Sequence, residues 1–159
     1  MYKTILVAVN NGPYMSEACE RAINYAKAFN SHLILCHVRK NKVVYNSMIS
    51  VGLMSTPHII QDHSYCLDDA LEDIKKEALE KGVPSVEIVQ THSSTPGTAI
   101  ADVIAPGFDA ELIICGKTDK SSLNRLLLES VSSNIVNYAK CDVLLVGPKE
   151  QDVKKKKRK

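Results

Sequence analysis

The residues with the clearest chemical meaning are the apolar run Leu112-Ile-Ile-Cys-Gly116 and the polar stretch that follows it, from Lys117 to the helical pattern opening at Ser130. A strand that stops at a glycine, runs through a polar loop and enters a helix is a phosphate-binding arrangement. The loop exposes backbone N–H groups, and the helix N-terminus carries partial positive charge. Serines 121, 122, 130, 132 and 133 surround this loop. Ser130 is the candidate of the set, with helix N-capping as its structural role. Two other positions would border the same region. They are Asn10, where the first apolar run gives way to Asn10-Asn-Gly-Pro13, and Val38, where the second ends.

Other reactive residue types carry less. His58, Asp62, His63 and Cys66 are metal-ligand types close together, but their spacing fits no zinc signature, and loop polarity accounts for them. No metal site is assigned. His37 ends a buried strand and reads as packed. Cys115 precedes the loop, but a cysteine within a buried strand is usually inert. No Ser/His/Asp or Cys/His arrangement supports nucleophilic catalysis, so no catalytic residue and no turnover reaction are assigned. The five cysteines at 19, 36, 66, 115 and 141 are scattered and odd in number, which suits a reducing compartment.

The elements that must position these residues alternate. Ile5 to Val9 is an apolar run of the kind buried on both faces of a parallel sheet. A helix follows, capped at Ser16, with Ala18, Ala22, Tyr25, Ala26 and Phe29 inward. His32 to Val38 is the second strand. Residues of about 39–66 show no sustained period, and a loop of that length is usually functional, here a lid. Leu67, Leu71, Ile74 and Ala78 share one helix face, closed by Gly82 and Pro84. Val86 to Thr91 is a weaker strand. Thr95-Pro96 reads as an N-cap with proline at the first helical position, and Ile100, Val103 and Ile104 as the inner face. Glu111 to Cys115 is the fourth strand. The next helix turns Leu127, Val131, Ile135 and Tyr138 inward, and Asp142 to Val146 is the fifth strand.

This order predicts an α/β fold: a doubly wound, five-stranded parallel sheet with helices on both faces and right-handed crossovers. Ligands bind such sheets at the carboxyl ends of the strands, where the winding reverses. The chain of 159 residues is one domain over 1–148 and a basic tail, 149–159, expected to be disordered. The net charge of +2 hides a division: residues 154–159 are all basic, and without them 14 basic residues face 18 acidic ones. The body therefore has no positive excess for nucleic acid, and only the tail could make non-specific anion contacts. With no apolar run long enough to span a bilayer and no signal-peptide layout, a cytoplasmic protein is expected.

Taken together, Ile5-Leu-Val-Ala-Val9, Leu33-Ile-Leu-Cys-His-Val38, Gly97 opening a helix, Glu111-Leu-Ile-Ile-Cys-Gly116 and the ending from Ser130 to Asp142-Val-Leu-Leu-Val146 resemble the universal stress protein family over about residues 2 to 147. The resemblance implies the strand order 3-2-1-4-5 of adenine nucleotide α-hydrolase-like folds. It also implies a homodimer paired through the last strand, Val143 to Val146, which would protect an apolar edge. One branch of the family binds ATP through Gly-x-x-Gly, nine residues, then Gly-Ser or Gly-Thr, with an aspartate ending the first strand. This chain matches Gly116 and Ser130. It carries Asp119, Glu129 and Asn10 at the other positions. A carboxylate about 4 Å from a phosphate costs on the order of a few kcal/mol at an effective dielectric near 20, which Lys117 and Lys120 would partly offset. The expected function is a regulatory or protective binding module with a degenerate, weak nucleotide pocket at Asn10, Val38, Gly116 and Ser130. The alternative is an ATP-binding stress protein with nucleotide-dependent switching or slow hydrolysis, its carboxylates bridged to phosphate by Mg.

Overall fold

The computed structural model describes residues 1–41, 65–117 and 130–148. The element order is β1 (Thr4–Ala8), α1 (Met15–Phe29), β2 (His32–Lys40), α2 (Tyr65–Glu80) and β3 (Ser85–Ser93). There follow α3 (Pro96–Ala99), a π-helical stretch (Ile100–Ile104), α4 (Ala105–Gly107), β4 (Leu112–Gly116), α5 (Val131–Tyr138) and β5 (Asp142–Val146). The strands form one sheet in the order β3-β2-β1-β4-β5. Every pairing is parallel. The fold class expected from the alternating pattern and the strand order implied by the family resemblance are those of the structure.

The central strands are apolar at every position because both of their faces are covered. Alternate residues serve opposite faces. Ile5, Val7, Leu33, Leu35, Leu112 and Ile114 pack with Ala18, Ala22, Ile23 and Ala26 of α1 and Leu71 and Ala78 of α2. Leu6, Ala8, Ile34, Cys36, Ile113 and Cys115 pack on the other side with Ile100, Ile104, Ala105 and Ile135. Ala18, Ala22 and Ala26 are wholly buried and lie one helical turn apart, so α1 rests on the sheet along a ridge of methyl groups. Gly82, at φ +93°, provides the left-handed residue after α2.

Several boundaries and faces differ from the sequence reading. The second strand does not stop at Val38, because Arg39 and Lys40 continue the ladder opposite His92 and Ser93. The following helix is already formed at Tyr65. The long segment expected over about 39–66 therefore loses residues at both ends. Its interior, with His58, Asp62 and His63, lies outside the described residues, as do residues 118–129 and the tail. Helix α1 starts at Met15, and its N-cap position is Tyr14, which makes no side-chain cap, rather than Ser16.

Val103 is 68% exposed, not part of an inner face. The buried residues of this segment are the pairs Pro96/Gly97, Ile100/Ala101 and Ile104/Ala105. They recur every four residues, whereas an α-helix repeats at about 3.6. The π stretch has a wider turn, with the Ala105 N–H donating to the Ile100 carbonyl, and it keeps the pairs on one side. Val103 falls outside the four-residue period. Tyr138, expected inward, is 50% exposed because it sits in the last turn of α5, beyond the sheet-facing Ile135. Leu127 lies outside the described residues.

Leu71 anchors α2 and has no exposed surface. Replacing it with alanine should lower stability by about 2–5 kcal/mol, as large-to-small changes in packed cores do. Urea unfolding followed by circular dichroism measures this, and a shift below about 0.5 kcal/mol would mean that α2 is not held through Leu71.

Candidate functional site

A cavity of about 640 Å³ opens at the carboxyl ends of β1, β2 and β4. It lies where the winding reverses: the chain leaves β1 toward β2 by one face of the sheet and reaches β4 by the other. Asn10, Val38, Gly116 and Ser130, the four positions singled out from the sequence, all line it. Three strands and one helix bring them together.

Each lining residue has a local reason for its place. The Asn10 Oδ1 accepts a hydrogen bond from the Gly12 N–H at 2.7 Å, an Asx turn that bends the chain away from β1. Gly116 does not supply a positive φ; among the described glycines only Gly82 does. Its missing side chain matters for another reason. A Cβ there would stand 3.1 Å from the carbonyl carbon and oxygen of Tyr14, so glycine lets β4 pass close beneath the start of α1 without pushing that backbone aside by a few tenths of an ångström. Ser130 is the N-cap of α5, its Oγ accepting from the Ser133 N–H at 3.1 Å.

Gly97 is the tightest junction in the wall. A Cβ at this position would lie 2.5 Å from the Val131 carbonyl oxygen and 2.6 Å from the Asn134 Cβ. The starts of α3 and α5 thus touch through a bare backbone, and both border the cavity. The sequence reading placed Gly97 at a helix start but not against Val131, because no local pattern reports a contact across that separation.

Two cationic residues border the cavity that were not among the four. Lys40 comes from the extended end of β2 and Lys117 follows β4. The Lys117 N–H donates to the Val146 carbonyl at 2.7 Å, which ties the loop's first residue to β5. No aspartate or glutamate lines the cavity among the described residues; Asp119 and Glu129 lie outside them. The hydroxyls, amide and ammonium groups present fit phosphate oxygens, and a divalent cation would find no carboxylate among them. No group of three or more His, Cys, Asp or Glu among the described residues could hold a metal ion.

Beneath the cavity, on the α1/α2 face, His37 secures the end of β1. Its Nδ1 is 2.8 Å from the Val9 carbonyl, and since a carbonyl only accepts, Nδ1 carries the proton. Arg39 on β2 and Gln90 on β3 both donate to the Asp68 Oδ1 at 2.7 Å, joining two strands to the first turn of α2. Burial holds the His37 pKa below its ordinary value. Arg39 and His92 push in the same direction, against the Val9 hydrogen bond and Asp68. Burial also raises the Cys36 thiol to about 12 and the Cys115 thiol to about 11, so both stay protonated at neutral pH and neither serves as a nucleophile.

The Universal stress protein family model matches residues 1–147. A protein of Staphylococcus saprophyticus named as a universal stress protein is 30% identical over 149 residues, covering 94% of this chain and 86% of that one. A counterpart in Staphylococcus aureus is 29% identical over the same length. Among solved structures, the universal stress protein UspA from Lactobacillus plantarum superposes with a TM-score of 0.72 at 20% identity, covering 91% of this chain and 97% of that one. A universal stress protein in complex with cAMP gives 0.67 at 22% identity, covering 93% and 98%.

Two outcomes follow from this geometry. Gly97→Ala should cost about 1–3 kcal/mol by overpacking, because one of the obstructing atoms is backbone. A thermal melt checks it, and an unchanged midpoint would mean that α3 and α5 are not in contact. The second concerns pH. His37 binds its proton more weakly folded than unfolded, so the unfolded state gains protons first as pH falls. Stability contributed by neutral His37 is complete above the unfolded value near pH 6.5 and declines as pH drops through it. Melts from pH 7.5 to 5.5 should show a falling midpoint, with a shallower fall in His37→Gln. An equal fall in both proteins would assign the effect elsewhere.

Proposed function

The chain belongs to the universal stress protein family, and we propose on that premise that it is a regulatory or protective nucleotide-binding module rather than an enzyme of rapid turnover. The observation that carries this reading is the cavity at the winding reversal, bordered by Asn10, Val38, Gly116 and Ser130 and by two lysines. Its volume lies within the range of small-molecule sites. That a structural neighbour was solved with cAMP supports a nucleotide as the class of ligand.

Affinity for ATP is low in this reading. Asp119 and Glu129 stand where the ATP-binding branch of the family has glycines, and a carboxylate near a phosphate costs binding energy. Asn10 stands at the position of that branch's aspartate, and its Oδ1 is already engaged by the Gly12 N–H. The module works as a cytoplasmic homodimer joined through Val143 to Val146. The exposure of Leu145, at 42% on this edge strand, supports that pairing. No helix among the described residues is long and apolar enough to cross a membrane. The basic tail adds at most non-specific anion contacts.

The test is calorimetric titration of the purified chain with ATP and magnesium, preceded by mass spectrometry for carried-over nucleotide. Dissociation constants of about 100 µM or weaker are expected, a binding free energy no more favourable than about −5.5 kcal/mol. The Asp119→Gly, Glu129→Gly double variant should bind about tenfold more tightly. Low-micromolar binding by the unaltered chain, or a co-purified ATP, would replace the weak pocket with an ATP-dependent switch.

A further inference from the structure

The two lysines reach the cavity from different sides. Lys40 is the last residue of β2, paired in register with Ser93, and Ser94 and Thr95 of the next connection border the cavity beside it. Lys117 follows β4 and shares the opposite side with Ser130. β1 runs between these strands. Two inter-strand spacings, roughly 10 Å, therefore separate the two chains that carry the ammonium groups. One phosphate meets both ammonium groups only where both lysine stems extend toward each other.

Among the described residues no carboxylate answers either group. Among the described residues neither Lys40 nor Lys117 forms an ion pair, and none of the residues bordering the cavity is acidic. This stands against a body in which acidic residues outnumber basic ones once 154–159 are set aside. An ammonium group donates three hydrogen bonds and accepts none. A phosphate at Lys117 and Ser130 leaves Lys40, two strands away, without an anionic partner among the described residues.

We propose that the cavity is two-ended. It holds one phosphate at Lys117 and Ser130 and a second anionic group at Lys40, so its preferred ligand is a nucleotide bearing phosphates at two separate positions of the ribose. Lys40 is the residue that selects for the second. The inference rests on the nucleotide reading of the cavity.

Calorimetry on the full chain at fixed ionic strength tests it, with AMP compared against adenosine 3′,5′- and 2′,5′-bisphosphate. At least one bisphosphate should bind about tenfold more tightly than AMP. Lys40→Gln should reduce that affinity to the level of AMP, Lys40→Arg should restore the preference, and Lys117→Gln should weaken all three ligands. Both lysines are exposed, and circular dichroism confirms that the variants keep the fold. Equal binding of AMP and both bisphosphates by the unaltered chain overturns the two-ended site while leaving the nucleotide reading in place. A preference that survives in Lys40→Gln overturns the role of Lys40. If no nucleotide binds, the nucleotide reading itself fails, and the two-ended site with it.

Discussion

Everything at the candidate site depends on one constraint of parallel sheets. Neighbouring parallel strands need a crossover, and a crossover must lie on one face or the other. Here α1 and α2 cover one face, and the 96–107 segment with α5 covers the other. The change of face happens between β1 and β4, so the connections leaving those strands diverge and cannot fill the space between them. The cavity is the geometric remainder of that divergence. Its floor is secured from below, where His37 takes up the Val9 carbonyl just as β1 ends.

Much of this was legible because strand ends are written locally. An apolar run closed by Asn10 or by Gly116 marks the end of a strand, the run closed after Val38 falls two residues short of one, and in a parallel sheet all such ends open toward the same side. The four candidate residues follow from that rule plus Ser130, whose capping role is also local and is met by the Ser133 N–H. The strand order needed the family resemblance, because apolar runs look alike whichever neighbour they pair with.

What stayed hidden depends on contacts between distant parts of the chain. Gly97 against Val131 and Gly116 against Tyr14 are close approaches of backbone that leave no trace in sequence beyond the glycine itself. Lys40 was hidden for a related reason. Arg39 and Lys40 look like the start of a loop, but β3 is long enough to pair with them and carries the strand, and its charge, to the edge of the cavity. Val103 was misplaced because a period of 3.6 was assumed where the segment keeps a period of four.

That four-residue period has a mechanical meaning. A regular helix advances about 100° per residue, so a face kept every fourth residue drifts by about 40° at each repeat. The π turn takes up this phase error in the middle of the segment rather than at either end. Pro96/Gly97 can then seat against α5 while Ile104/Ala105 seat against the sheet, although no single straight α-helix presents both pairs in one direction. The segment behaves as two short helices with a phase corrector between them, fitted at one end to the wall of the cavity and at the other to the core.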